Sequence, residues 1–509
     1  MKVLVVLAHP RGTATLCGAI AESYADGARE AGCRVKLAAL DSMDFDPHVR
    51  RSSPAAQEPE RDLVRLRQAI SAADHLVFVY PTWWGTYPAL LKGFLDRILT
   101  PGWAFEEITG GTGFAGLLGG RSAELITTMD TPGPVYRFMN RAPGANAMAR
   151  ATLGFCGIDV TRHTRFGPVN RSTSGERAKW IESAARLGRS LARGTHSPRQ
   201  RFWRRASPWL AALRLQFYPM TFFAYWMGAL IGSGQDPLDL PRFWLGYLFL
   251  FALEAATVFG NDLEDFESDR RNALWGPFNG GSRVLHNGLL DRGSLRKGML
   301  AMIAAAVATA ALLMAGAQAP VILTLFIVLS FLLTLGYTQP PLKLSYRTLG
   351  EIDVAVTHSF MSIAFGHLVQ GGMLSDPRPW LAAMPLCLSI LPAIILSGVP
   401  DRDADRAAGK RTVVVAFGIR SGILLAAGAA LAATGGMIMV EGRQSPGLYG
   451  GMLIVTLAGL HGGWLFLRLL REATALPKAR RLDGTMVMAL SYILWFCIPP
   501  LWTIGDWVP

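Results

Sequence analysis

Two acidic stretches each follow an apolar run. The first, "NDLEDFESD", holds Asn261, Asp262, Asp265 and Asp269 directly after "FWLGYLFLFALEAATVFG". On a helix the three aspartates share one face, because residues three and four apart stack on the same side. The second, "DRDADRAAGKRT", starts at Asp401, and there Asp401 and Asp405 share a face while Asp403 points elsewhere. Carboxylates from two helices suit magnesium, which takes carboxylate oxygens together with phosphate oxygens. Arg283, Lys343, Lys410 and Arg411 are available to hold the remaining phosphate charge. One such cluster alone reads as a solvated helix end. Two, alike in position, repel internally and are costly beside an apolar segment unless a cation offsets them. The chemistry they suit is magnesium-assisted binding of a phosphorylated group.

A second set of residues lies near the N-terminus. "HPRGTATLCGAI", His9 to Ile20, places small and hydroxylated residues ahead of a helix whose unpaired N–H groups suit a phosphate. "PTWWGTYPALLKGFLDR", Pro81 to Arg97, is a turn carrying Trp83, Trp84 and Tyr87. An aromatic loop beside a phosphate loop suits a flat isoalloxazine ring, although Trp83 and Trp84 equally suit core packing. "GTGFAG", Gly111 to Gly116, matches GxGxxG but precedes a strand where a dinucleotide fingerprint should follow one, so it reads as a loop. His163 in "TRHTRFG" has no motif around it and reads as a strand-surface histidine.

The elements that must position these residues fall into two kinds. Up to about Gly194, apolar runs at Lys2–Ala8, Arg34–Leu40, His75–Pro81, Ser122–Met129 and Ile158–Phe166 alternate with helical stretches such as Leu16–Ala31, Asp62–Ala73 and Gly175–Leu191. That alternation predicts a doubly wound parallel sheet with helices on both faces, whose ligands bind at the C-terminal strand ends. Residues 195–212 mix Arg201, Arg204 and Arg205 with Trp203 and Trp209, the pattern of a membrane-surface linker.

From residue 213 onward nine membrane spans are expected, near Phe217–Gly232, Phe243–Gly260, Gly298–Ala315, Pro320–Leu335, Ile352–Val369, Pro379–Leu396, Ser421–Val440, Leu448–Leu467 and Met486–Ile504. The chain has 509 residues, is 51% hydrophobic and carries a net charge of +13. With nine spans, most loop cations, including Arg270, Arg271, Arg402, Arg406, Lys478, Arg480 and Arg481, fall on one side with the N-terminal half. That side is expected to be cytoplasmic. The excess charge is then topological, and no nucleic-acid partner is expected. Five scattered cysteines without a CxxC pair suit a reducing compartment, and "MKVLVVLAHP" reads as a buried first strand rather than a signal peptide.

The motifs resemble two families. "NDLEDFESD" fits NDxxDxxxD and "DRDAD" fits DxxxD of the UbiA-type intramembrane aromatic prenyltransferases, and "GGSRVLHNGLL" and "YTQPPLKLSYRTLGE" are similar to that family's loops. This resemblance implies about nine helices around a cavity that holds magnesium and a prenyl diphosphate at its cytoplasmic mouth. Asn261, Asp262, Asp265 and Asp269 would hold one metal, and Asp401 and Asp405 the other. Asp262, Asp265, Asp401 and Asp405 would be catalytic, with Tyr337 lining the path of the allylic carbocation left by the departing diphosphate unless it is an interface anchor. "RRNALWGP" departs from the family's usual basic-proline segment and leaves the acceptor open.

"LAHPRGTATL", "PTWWGTYPALLKGFLDR" and "TTMDTPGPVY" resemble the flavodoxin-like NAD(P)H:quinone reductases over residues 1–194. That implies FMN or FAD, NAD(P)H and a homodimer through this domain. His9, Thr13, Thr15 and Leu16 would surround the phosphates, and Pro81, Thr82, Trp83, Trp84, Thr127 and Thr128 the ring. Met129 and Asp130 replace the glycines common in the group, which leaves FMN against FAD open.

The expectation is a bifunctional enzyme of the inner cell membrane. Its front domain reduces a quinone, and its membrane domain prenylates the resulting hydroquinone, as in prenylquinone or menaquinone-like biosynthesis. The alternatives are a membrane-anchored quinone reductase whose lipid domain only binds, or a prenyltransferase for another acceptor with a redox-sensing flavin domain.

Overall fold

The structure, a computed structural model, describes residues 1–107, 114–196, 198–315, 320–444, 447–474 and 479–505. Lys478 and the first three residues of "GTGFAG" therefore lie outside the described residues. The chain forms two compact units, Met1–Arg204 and Arg205–Pro509.

In the first unit, β1 (Lys2–Leu7), β2 (Arg34–Ala39), β3 (His75–Pro81), β6 (Ser122–Thr128) and β7 (Asp159–Phe166) form one sheet in the order β2-β1-β3-β6-β7. All four pairings are parallel. Both faces are covered, because successive side chains of one strand point to opposite sides. Leu4, Val6, Phe78 and Tyr80 pack with α2 (Arg61–Ala72) and α3 (Ala89–Ile98). Val3, Val5, Val77 and Val79 pack with α1 (Leu16–Glu30) and α4 (Ser174–Arg189). This is the flavodoxin-like architecture, with the order reversing between β1 and β3. A short antiparallel hairpin, β4 (Phe105–Glu107) with β5 (Phe114–Gly116), takes in the end of "GTGFAG", where a plain loop is expected.

A helix, α5 (Pro198–Leu213), covers most of the stretch expected as a linker, and the boundary between the units falls inside it.

The second unit is helical. Among the described residues seven helices are long and apolar enough to cross a bilayer. They are α7 (Leu240–Glu264), α9 (Arg292–Met314), α11 (Gly350–Val369), α12 (Arg378–Ala407), α13 (Ile419–Gln444), α14 (Met452–Thr474) and α15 (Asp483–Ile504). The two other expected spans are shorter helices, α6 (Tyr218–Ser233, 16 residues) and α10 (Pro320–Gly336, 17 residues). The expected nine spans thus stand at seven by length and hydropathy. A six-residue helix, α8 (Phe266–Arg271), follows α7 directly.

Helix α6 runs against α11 with backbones in near contact. A Cβ on Gly228 would lie 1.9 Å from the Ile363 carbonyl oxygen, and one on Gly366 would lie 2.1 Å from that of Tyr225. Small residues allow this in a membrane, where close packing rather than the hydrophobic effect joins helices.

Candidate active site

The carboxylates of the two acidic stretches meet at one cavity in the second unit. Its volume is about 290 Å³, and Asn261, Asp265, Asp269, Asp401 and Asp405 all line it. The helices place them: α7 ends at Glu264, Asp265 turns the chain into α8, and α12 carries Asp401 and Asp405 on its last two turns.

Each carboxylate is held differently. Asp262 accepts hydrogen bonds from the backbone N–H of Ser282 (3.1 Å) and from its hydroxyl. Asp401 accepts from the side-chain amides of Asn272 (2.5 Å) and Asn279 (2.6 Å) and from the Gly280 N–H (3.3 Å). The Lys410 ammonium lies between the stretches, 2.6 Å from Asp265 and 3.5 Å from Asp405. Ser268 also donates to Asp405 at 3.3 Å, and Tyr346 to Asp265 at 3.4 Å.

Asp269 and Gly281 are in direct contact. A Cβ on Gly281 would sit 2.1 Å from Asp269 Oδ2 and 3.1 Å from Asp262 Oδ1, and Gly281 has φ +71°. Only glycine adopts this conformation and leaves that space open.

The charges explain the titration. Burial, then the neighbouring Asp265 charge, pushes the Asp269 carboxyl up to about 8. Burial opposes charge on Lys410, but Asp265 and Asp405 outweigh it and hold the ammonium above the ordinary lysine range. Burial, with Asp265 nearby, pushes the Tyr346 hydroxyl up to about 12.

This donor set fits divalent cations. Four aspartates line the mouth against Lys410 and Arg214, and the buried Asn261 side-chain oxygen has no hydrogen-bond partner among the described residues. Among the described residues no three His, Cys, Asp or Glu side chains are gathered tightly enough to hold an ion as they stand. Lys410 takes up the space between the stretches instead.

Of the four expected diphosphate-binding cations, only Lys410 lines the cavity. The Arg283 guanidinium donates to the Asp269 backbone carbonyl at 2.5 Å and stacks over Trp275. Lys343 lies 4.0 Å from Glu264 and over the Tyr346 ring. Arg411 is exposed. Tyr337 lines the cavity. Arg214, Asn272, Asn279, Ser282 and Tyr346 belong to the mouth and carry no signal in the acidic motifs. For Asn272, Asn279 and Ser282 the sign in the sequence is polarity within "RRNALWGPFNGGS", between two expected spans, while Arg214 and Tyr346 lie outside that stretch.

In the first unit, the expected residues lie at the C-terminal ends of β1, β3 and β6, beside the reversal of strand order. His9 and Trp83 pack edge to face with ring centroids 5.8 Å apart. Thr15 is the N-cap of α1: its hydroxyl accepts from the Gly18 N–H (3.1 Å) and donates to the Gly12 carbonyl (2.8 Å). Thr13 sits in the same loop, its carbonyl accepting from the Thr15 N–H, and Leu16 opens the helix. Thr82 donates its N–H to the Thr128 carbonyl at 2.7 Å, joining the loops after β3 and β6, with Pro81 closing β3. Trp83 is 47% exposed and Trp84 fully exposed, so neither serves core packing.

His163 is partly buried on β7, its Nε2 3.0 Å from Thr127 Oγ1 and its Nδ1 3.2 Å from the Arg165 guanidinium. The guanidinium only donates, so Nδ1 accepts and Nε2–H donates to Thr127. Burial, then Arg165, lowers the His163 imidazole to about 4. Hydroxyls at the strand ends, a helix N-terminus and two exposed indoles suit the phosphate and the flat ring of a flavin.

Comparisons with known proteins follow this division. Residues 1–188 match the flavodoxin-like fold family, and residues 220–500 match the UbiA prenyltransferase family. An uncharacterized NAD(P)H oxidoreductase of Haemophilus influenzae is 28% identical over 189 residues, 36% of this chain and 93% of that protein. A ribosyldihydronicotinamide dehydrogenase (quinone) of Mus musculus is 25% identical over 218 residues, 37% of this chain and 91% of that protein. An FMN-dependent NADH:quinone oxidoreductase of Ruegeria pomeroyi is 28% identical over 142 residues, 25% of this chain and 69% of that protein.

Proposed function

Because this chain belongs to the UbiA prenyltransferase family and carries a flavodoxin-like domain at its front, we propose that it reduces a quinone and prenylates the product. The front domain takes hydride from NAD(P)H and delivers it to a quinone. The membrane domain then transfers a polyprenyl group from its diphosphate to the hydroquinone ring, in a prenylquinone or menaquinone-like pathway. A quinone ring is electron-poor and its hydroquinone electron-rich, so reduction supplies the nucleophile where it is consumed.

The observation that carries this reading is the meeting of Asp265, Asp269, Asp401 and Asp405 at one cavity mouth around Lys410. Asn261, Asp262, Asp265 and Asp269 would hold one magnesium ion, and Asp401 and Asp405 a second. Bound there, magnesium supplies Lewis-acid stabilisation of the departing diphosphate. Lys410 adds a point charge to the phosphate oxygens, with Arg283, Lys343 and Arg411 further out. Tyr337 faces the path of the developing allylic cation. In the front domain, His9, Thr13, Thr15 and Leu16 would surround the phosphates of FMN or FAD. Pro81, Thr82, Trp83, Trp84, Thr127 and Thr128 would border the ring, which passes two electrons from NAD(P)H to the quinone. We place the enzyme in the inner cell membrane with its front domain cytoplasmic, as a homodimer through that domain.

The test is an anaerobic assay of the purified chain with NAD(P)H, magnesium, an allylic prenyl diphosphate and naphtho- and benzoquinones, read by mass spectrometry. Prenylated hydroquinone is expected only when all four components are present. Equal product from an oxidised quinone without NAD(P)H would break the coupling. Asp262→Ala and Asp401→Ala should each cut transfer at least about 100-fold and leave quinone reduction unchanged.

A further inference from the structure

We propose that Glu254 and His358 form the seat for a hydroxyl group of the aromatic acceptor and take up its proton as the ring is alkylated. The inference rests on the reading of the cavity as the place of prenyl transfer, and it assigns the residues that recognise the acceptor there.

Both side chains line the cavity, away from the acidic mouth. Glu254 lies seven residues before Asn261 on α7, two turns or roughly 10 Å along the helix. His358 lies on α11 within a π-helical stretch, Thr357–Met361. Such stretches inside α-helices recur at functional sites because the wider turn re-aims a side chain. Ionisable groups in a membrane span are costly, and where they face a cavity they mark function.

The polar atoms of the pair are assigned one by one. Glu254 Oε2 accepts from the Thr221 hydroxyl of α6 at 2.9 Å, and Oε1 is the oxygen that faces His358. His358 Nδ1 is 2.9 Å from the Val354 carbonyl oxygen and 3.1 Å from the Thr357 hydroxyl, which itself donates to the Asp353 carbonyl. A carbonyl only accepts, so Nδ1 bears a proton, and Nε2, which faces the Glu254 carboxylate, bears the second proton of an imidazolium and can donate to a hydroxyl oxygen that itself donates to Oε1. Oε1 and Nε2 are 3.7 Å apart. That is too far for a hydrogen bond between them and close enough for one hydroxyl oxygen to touch both. Asp353 lines the same cavity one turn before Thr357, and its buried Oδ1 has no partner among the described residues. The pair is an ion pair at a separation that leaves room for a hydroxyl group, on two residues that both line the cavity.

The acceptor class is a phenol or hydroquinone, a ring with at least one free O–H. The O–H proton moves to Glu254 Oε1, supported by His358, and raises the electron density of the ring. A ring carbon forms a bond to the allylic carbon as the allylic C–O bond breaks, its electron pair leaving with the diphosphate. The dienone that results loses its ring C–H proton to the diphosphate and regains the hydroxyl proton from Glu254. The sum is hydroquinone plus prenyl diphosphate giving prenyl-hydroquinone plus singly protonated pyrophosphate.

The experiment has two arms on the purified full chain with magnesium. In the first, equilibrium binding of a naphthohydroquinone is compared with binding of its dimethyl ether. Wild type is expected to prefer the hydroquinone by about tenfold or more, the worth of a charge-assisted hydrogen bond. Glu254→Gln and His358→Gln should bring the two ligands within about threefold of each other, and Thr221→Val should give an intermediate ratio. Should either glutamine variant fail to fold, the other and Thr221→Val carry the comparison. In the second arm, transfer from geranyl diphosphate to pre-reduced naphthohydroquinone should fall about 100-fold or more in both glutamine variants. The KM for the prenyl diphosphate should stay within about twofold. Variants that keep the wild-type preference and the wild-type kcat would overturn the assignment. A wild type that binds with this preference but makes no prenylated product would sink the transfer reading and leave the hydroxyl seat standing.

Discussion

At the scale of residues, the aspartates were legible and their partners were not. Asp262, Asp265, Asp401 and Asp405 declare themselves through helical spacing beside apolar runs. Asn272, Asn279 and Ser282, which hold Asp401 and Asp262, lie in a loop where spacing carries no periodicity. Lys410 stood out only as a cation available for phosphate, not as the ion that neutralises Asp265 and Asp405, since that requires two helices to meet. Lys410→Met leaves two buried carboxylates unpaired, a loss of about 3–5 kcal/mol for a fully buried pair. Thermal unfolding without magnesium should therefore fall, and millimolar magnesium should restore more in the variant than in wild type. Equal magnesium shifts in the two proteins would count against cation binding between these carboxylates.

His163 gives a prediction in pH. Its folded value is about 4 against an ordinary 6.5. Between those values the unfolded chain binds the proton and the folded one does not, so stability falls as pH falls from 6.5 towards 4. The full shift corresponds to about 3 kcal/mol at the acid end. Unfolding of the front domain, followed by release of flavin fluorescence, should become easier from pH 7 to pH 5. His163→Gln should flatten that dependence. An unchanged slope would mean the imidazole already carries its proton in the folded chain.

At the scale of elements, legibility followed burial pattern and length. The wholly buried runs His75–Pro81 and Ser122–Thr128 stand out as strands because every residue faces a covering helix. The three-residue strands β4 and β5 do not, because so few residues set no period. Helix α3 hid inside a stretch read as an aromatic turn, although its buried Leu91, Phe94, Leu95 and Ile98 carry the spacing of three and four. Helix α1 is fixed by its cap: Thr15→Val removes the acceptor for the Gly18 N–H, at a cost of about 1 kcal/mol. Urea unfolding of the front domain should shift by that amount. Since the same turn faces the proposed phosphate site, flavin retention through gel filtration should weaken in parallel.

At the scale of the molecule, two units with separate cores predict separable functions. Trp83→Ala combined with Trp84→Ala, both exposed, should lower flavin content without disturbing the membrane unit. Such a protein should no longer prenylate an oxidised quinone in the presence of NADH, yet should prenylate a quinone reduced beforehand with dithionite at the wild-type rate. Loss of both would place the defect in folding rather than in electron delivery. The division itself was readable from composition, because long apolar runs begin only after residue 213. The number of helices long enough to cross is less readable, since hydropathy does not fix helix length, and among the described residues α6 and α10 span 16 and 17 residues.

The glycine contacts between α6 and α11 have a consequence for traffic. These helices supply one wall of the cavity, with Thr221 on one and Val354 on the other, and their backbones touch through Gly228 and Gly366. At those two points no side chain stands between the backbones to slide or fold aside. That wall acts as a fixed jamb, and whatever long-tailed molecule enters or departs must pass between other helices.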